Sequence, residues 1–296
     1  MRLDNERESS NIEDQRGSRG GFGLPGGTIL PFGGGRIGCG MLVVIIIAGL
    51  VLGINPLQLL GLMSGGDMSG VSPVQQQQQQ APAPLSSDTD RFVAQVLATT
   101  EDSWTRIFEA QGRRYTPPTL VFYSGTGRSG CGVAQAAAGP FYCPADRKIY
   151  LDTSFFDELS SRFGAPGDFA MAYVIAHEVG HHVQLLTGIA DRVRDAQARA
   201  SERQSNALQV KMELQADCYA GVWGAANRNL LDEGDVEEAL QAARAVGDDT
   251  LQKQGGGRVV PDSFTHGSAQ QRMSWFQRGF SSGDPAACDT FANEAG

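Results

Sequence analysis

His177 and His181 stand four residues apart, with Glu178 directly after the first. On a helix, residues at i and i+4 lie one above the other, about 5–6 Å apart, so two imidazoles can reach one metal ion. Glu178 falls beside the same face, where its carboxylate can hold a metal-bound water rather than the metal. This is the arrangement of metal-assisted hydrolysis, in which the carboxylate takes a proton from the attacking water. Gly180 adds no bulk where another element could pass close. His182 points elsewhere on the helix and is not expected to be a ligand.

Catalytic zinc sites take three protein ligands and keep a fourth position open, so a third ligand is expected from another element. Glu213 is the best candidate. Asp217 follows it by four residues on a predicted helix, where it can accept a hydrogen bond from a ligand histidine and fix the ring's orientation. The segment around them, Met212 to Trp223, is largely apolar, and two carboxylates there need partners. His266 is the remaining histidine, since the chain has four. It precedes a predicted helix and could steady the oxyanion of a tetrahedral intermediate, act as a rival third ligand, or be a surface histidine. Tyr219 is a second candidate for the oxyanion role.

A helix from about Phe169 to Leu185 must carry the histidines, with Asp168 as its cap. Upstream, Asp88 or Thr89 can cap a helix with apolar positions Phe92, Val96, Leu97, Trp104, Ile107 and Phe108. Thr119–Tyr123 reads as a strand and residues 125–139 as a loop. Phe141–Cys143 and Lys148–Leu151 read as two strands of a hairpin. Beyond Gly167 the pattern is mostly helical.

The first 36 residues are polar, then glycine-rich, and are expected to form a structureless cytoplasmic tail. Ile37–Ile54 is an uncharged apolar run that, with the residues behind it, gives a membrane-spanning helix over 37–60. Arg2, Arg7, Arg16, Arg19 and Arg36 precede it, and the next Lys or Arg is Arg91. The positive-inside rule therefore predicts an N-terminus in the cytoplasm and a folded domain outside it, in a single-pass protein of the inner membrane. Residues 61–87, with a run of glutamines, read as a linker. The domain is expected over 88–296. A net charge of -9 excludes recruitment by phosphate neutralisation, so nucleic acid is not an expected partner. The five cysteines form no CxxC pair, which disfavours a cysteine-based zinc knuckle.

The strings HEVGHHVQ, ELQADCYAG and SFTHGSAQQRMSWF closely resemble the bacterial neutral zinc metallopeptidases, and the resemblance runs over most of the chain. More distantly, HExxH followed by ExxxD is similar to the gluzincin peptidases. That resemblance implies Glu213 as third ligand, Asp217 as support for a histidine ligand, and His266 near the transition state. It implies a zincin-like α+β domain, mainly helical with a small β-sheet or hairpin. It also implies one Zn2+ per chain and a peptide or protein substrate, with an extended substrate adding to one of the strands before the motif helix. In an oxidising compartment Cys131 could pair with Cys143, and Cys218 with Cys288; the alternative is four reduced core thiols. Two other functions fit the same residues: a membrane-tethered, non-catalytic metal-binding module, and a zinc hydrolase of a cell-wall amide.

Overall fold

The computed structural model describes residues 1–16, 85 and 87–292. The expected span over 37–60 and nearly all of the linker lie outside these residues. Among those described, no helix is long and apolar enough to cross a membrane. The fold is a mainly helical α+β domain with two small sheets.

Helix α1 (Asp88–Ala110) starts one residue away from the expected cap: the hydroxyl of Ser87 accepts from the Asp90 amide. Its apolar face buries Val93, Leu97, Trp104 and Phe108. The four-stranded sheet has the order β1-β2-β6-β5. Its strands are β1 (Ile12–Asp14), β2 (Thr119–Phe122), β5 (Phe141–Cys143) and β6 (Lys148–Leu151). β2 lies parallel to both β1 and β6, while β5 runs antiparallel to β6 and forms the edge. Leu120, Val121 and Phe122 on β2 are all fully buried, as expected of an interior strand covered on both faces.

Two sequence expectations change here. Residues 125–139 are not wholly a loop. β3 (Thr126–Ser129) and β4 (Gly132–Gln135) form an antiparallel hairpin. A disulfide from Cys131 at its tip to Cys143 on β5 closes the structure. Glycine content hid the strands, of which β4 contributes Ala134 to a small apolar cluster with Val121, Tyr123, Cys143 and Tyr150. The structureless reading of residues 1–36 also fails for residues 1–16. Ile12–Asp14 become β1, and Leu3 and Ile12 enter the main core. A three-residue strand has no periodic signal of its own; it exists because β2 offers it an edge.

The helices after the sheet carry the site. After α2 (Ser154–Ser161) come α3 (Asp168–Leu186), α4 (Ile189–Gln197) and α5 (Glu202–Ala226). They are followed by α6 (Asp235–Ala245), α7 (Asp248–Gln254) and α8 (Ala269–Ser282). Gly167, not Asp168, stands at the N-cap of α3, with φ 117°, and the Asp168 side chain instead faces the Met1 amine at 2.7 Å. α3 is buried nearly all round, so it is the central helix of the domain. A Cβ on Gly180 would come within 3.0 Å of the Ala216 backbone, so the missing side chain lets α3 and α5 approach closely. Gly221 on α5 and Gly279 on α8 do the same for those two helices: side chains there would run into the carbonyls of Phe276 and Cys218.

Candidate metal centre

The close approach of α3 and α5 sets Glu213 opposite the two histidines. Glu213 Oε2 lies 3.1 Å from His177 Nε2 and 3.5 Å from His181 Nε2. The three donor atoms all fall within 4.8 Å of one another. Donors placed tetrahedrally at zinc bond lengths stand about 3.3–3.6 Å apart; the 3.5 Å separation falls in that range and the 3.1 Å one lies just below it. Two imidazoles and a carboxylate are also a donor set that zinc takes in open, three-ligand sites. The residues present fit the ion.

Each ring is oriented by its other nitrogen. His177 Nδ1 is 2.8 Å from Asp217 Oδ1, and His181 Nδ1 is 2.9 Å from Gln184 Oε1. Both contacts favour hydrogen on Nδ1, which is the tautomer that presents Nε2 to a metal. Gln184 is held in turn, its amide donating to Met212 O at 2.7 Å and to Gln215 Oε1 at 3.1 Å. Glu213 Oε1 accepts from Gln209 at 2.9 Å.

Asp217 is the centre of a buried network. Arg272 on α8 grips it through two nitrogens, Nε to Oδ2 and Nη2 to Oδ1, both at 2.9 Å. The Tyr173 hydroxyl donates to Oδ1 at 2.5 Å. Burial works against the Asp217 charge, but Arg272 and His177 outweigh it and hold the carboxyl below its usual range. Burial likewise opposes a charged His177, yet Asp217 and Glu213 raise it to about 10. The same carboxylates that favour a proton there favour a cation between the donors.

Glu178 is buried at the floor of the cleft, and burial raises its carboxyl against the pull of His181 and His177. Among the described residues, none hydrogen-bonds this carboxylate. A cavity of about 530 Å³ opens over it, lined by the three donor residues, Tyr142 on β5, and His266.

His266 lies on the rim, half-exposed, with Nδ1 at 3.0 Å from Thr265 Oγ1. Its loop is pinned by a single carboxylate. Asp248 Oδ2 accepts the successive amides of Thr265, His266 and Gly267 at 2.8, 2.6 and 3.0 Å. Glu213, rather than His266, completes the group of donors.

Tyr219 does not reach the cleft. It packs edge-on against Trp104 at 5.3 Å and lines a different cavity with Gln215, Pro285 and Asp289. Tyr219 sits two residues after Asp217, so the helix turns it away from the face carrying Glu213 and Asp217. His182 is not part of the donor group, in keeping with its place on the helix. It is buried, with Nδ1 2.8 Å from the Tyr142 hydroxyl and Nε2 2.7 Å from Thr116 O, and burial lowers it to about 4.

The cysteines pair as Cys131–Cys143 and Cys218–Cys288. The first ties the β3–β4 hairpin to the cleft-lining strand β5. The second anchors α5 to the turn at Pro285–Cys288.

Four residues of this site had no role assigned from sequence: Arg272, Tyr173, Gln184 and Asp248. Tyr173 precedes His177 by four residues, so helical spacing alone could have placed it on the ligand face. Arg272 stands among Gln270, Gln271 and Ser274, a polar neighbourhood that gives no local sign of its burial. Asp248 lies 18 residues from His266 and carried no local signal.

Comparison with known proteins agrees with this geometry. The family described as "Putative neutral zinc metallopeptidase" matches residues 1–291. "Uncharacterized protein YpfJ" of Escherichia coli (strain K12) is 52% identical over 294 residues, covering 98% of this chain and 99% of that protein. "Uncharacterized protein Rv2575" of Mycobacterium tuberculosis is 43% identical over 220 residues, 70% of this chain and 73% of that protein. No solved structure matches. With nearly its whole length matched and the metal-binding group assembled in space, the chain belongs to this metallopeptidase family.

Proposed function

We propose that the protein is a zincin-like, zinc-dependent peptidase that holds one ion through His177, His181 and Glu213. The observation that carries this reading is the convergence of those three donors beside a buried carboxylate, Glu178, that accepts no hydrogen bond from the described residues. Zinc in this cradle supplies a Lewis acid that polarises a carbonyl and acidifies water. Glu178 takes the proton of the attacking water and passes it to the departing amine nitrogen. Its raised carboxyl suits both halves of that task. His266, on the rim of the same cleft, donates to the developing oxyanion. Strand β5 is a sheet edge along the cleft, and an extended peptide can add to it by main-chain hydrogen bonds. His182, through Tyr142, sets the position of that strand. The two disulfides support placing the domain outside the cytoplasm, in an oxidising compartment.

The test is hydrolysis of a broad peptide library by the full chain and by its Glu178→Gln variant, with zinc measured in both. The expected result is cleavage by the parent, a loss of about 10²–10⁴-fold in kcat in the variant, and one zinc in each. Zinc in both with no cleavage by either would remove the peptidase reading. Muropeptides run beside the peptides would then show whether a cell-wall amide is the substrate.

A further inference from the structure

Residues 2–16 occupy a surface that is built for them. Leu120 N–H donates to Asn11 O at 2.9 Å and Gln15 N–H to Phe122 O at 2.7 Å, on either side of the β1–β2 ladder. Without β1, the buried strand β2 would present an open edge. The side chain of Gln95 on α1 donates to Leu3 O at 2.9 Å and to Glu6 O at 3.3 Å. Arg2 N–H donates to Leu230 O at 2.8 Å. Leu3 and Ile12 are 5% and 7% exposed.

Charge points the same way. Arg2 faces Asp232 at 3.3 Å. Arg7 reaches Glu101 and Asp102, both at 2.7 Å. Arg16 reaches Asp90 at 2.8 Å and lies over the Phe122 ring at 4.7 Å. Glu101 is 5% exposed, and its hydrogen-bond partners among the described residues, Arg7, Ser9 and Asn11, all come from this segment. A carboxylate buried in that way would lose every one of those partners if the segment left.

We infer that residues 2–16 are an integral part of the metallopeptidase domain and share its compartment. Residues 2–16 and the rest of the domain therefore lie on the same side of any bilayer. This departs from the arginine count, which puts residues 1–36 in the cytoplasm and the folded domain outside it. That count treats Arg2, Arg7 and Arg16 as cations that hold a tail in the cytoplasm, whereas here each is paired with a carboxylate of the domain. The family match begins at residue 1, so it includes this segment. The inference is independent of whether the cleft hydrolyses peptides.

The test uses the full chain in its own membrane, with Cys39→Ser so that the introduced thiol is the reactive one. Asn5→Cys and Asp195→Cys place single thiols on exposed positions of the segment and of α4. A membrane-impermeant maleimide is applied to intact and to lysed cells. The expected result is that both variants react from the same side. Labelling from opposite sides overturns the inference. A second measurement checks docking itself. Arg16→Asp should lower the Tm by about 5 °C, and adding Asp90→Arg should return part of the loss. An unchanged Tm in Arg16→Asp would show that the segment shares no fold with the domain, and would also overturn the inference.

Discussion

His177 and His266 face the same cleft but are held in opposite ways. His177 sits in a frame made of three helices, where Asp217, Arg272 and Tyr173 bind one another side chain to side chain, out of water. His266 rides on a rim loop whose position is set by backbone amides gathered on one carboxylate, while its ring stays half-exposed. A buried network of charges is costly to leave half-made, whereas a half-exposed ring on a pinned loop can be replaced with little effect on the core. The frame should therefore govern folding and metal retention, and the rim should govern rate.

The largest effect is expected from Arg272→Met. It leaves Asp217 charged and buried without its two-nitrogen grip, and removing one partner of such a pair costs about 3–5 kcal/mol. Urea unfolding reads this directly. The double variant Asp217→Asn, Arg272→Met should recover part of the loss, since neither charge is then stranded. A double variant no more stable than the single one would show that the network does not act as a unit. Asp217→Asn alone should weaken zinc binding by about 10–100-fold, because the acceptor that fixes the His177 ring loses its charge. Competition with a chelator measures this.

His266→Gln should behave differently. Zinc content and Tm should stay at the parent values while kcat falls by about 10²–10³-fold, the range for losing one oxyanion donor. Loss of zinc in this variant would make His266 a ligand after all and erase the distinction between frame and rim.

The same contrast explains what could be read from the chain. The frame was legible where its parts are close in sequence: His177, Glu178 and His181 on one helix, Glu213 and Asp217 on another. Each pair repeats at helical spacing, so local geometry alone sets its face. The two disulfide pairings also agree with the structure. Arg272 was not assigned a role because its partner lies 55 residues away, and nothing near it marks the meeting of α5 and α8. The glycines that allow that meeting, Gly221 and Gly279, look like ordinary helix weak points until the two helices are seen in contact. Tyr219 was misplaced because composition showed an apolar helix but not which side faced the cleft. β1 was missed for the same physical reason as Arg272. Three residues acquire strand structure only from a partner more than a hundred positions later.

The smallest effect belongs to the anchor of the rim, and its sign can be worked out. Burial pushes the Asp248 carboxyl up, but the His266 side chain and the amides of the loop outweigh this and hold it below its ordinary value. A carboxyl whose folded pKa is depressed contributes stability that is fully present above its unfolded pKa, near 4, and is lost as pH falls through the folded value. Asp248→Asn keeps an acceptor oxygen but removes the charge, so at neutral pH it should cost about 1 kcal/mol. As pH is lowered below about 4, the parent loses that advantage while the variant does not, and their unfolding midpoints should converge. Because Asp248 acts on His266 through the loop, kcat should fall in the variant with zinc retained, by less than in His266→Gln. A stability gap that stays constant from pH 7 to pH 3 would show that the amides hold the loop without help from the charge. The rim would then be set by shape alone, and its contrast with the buried frame would rest on His266 itself.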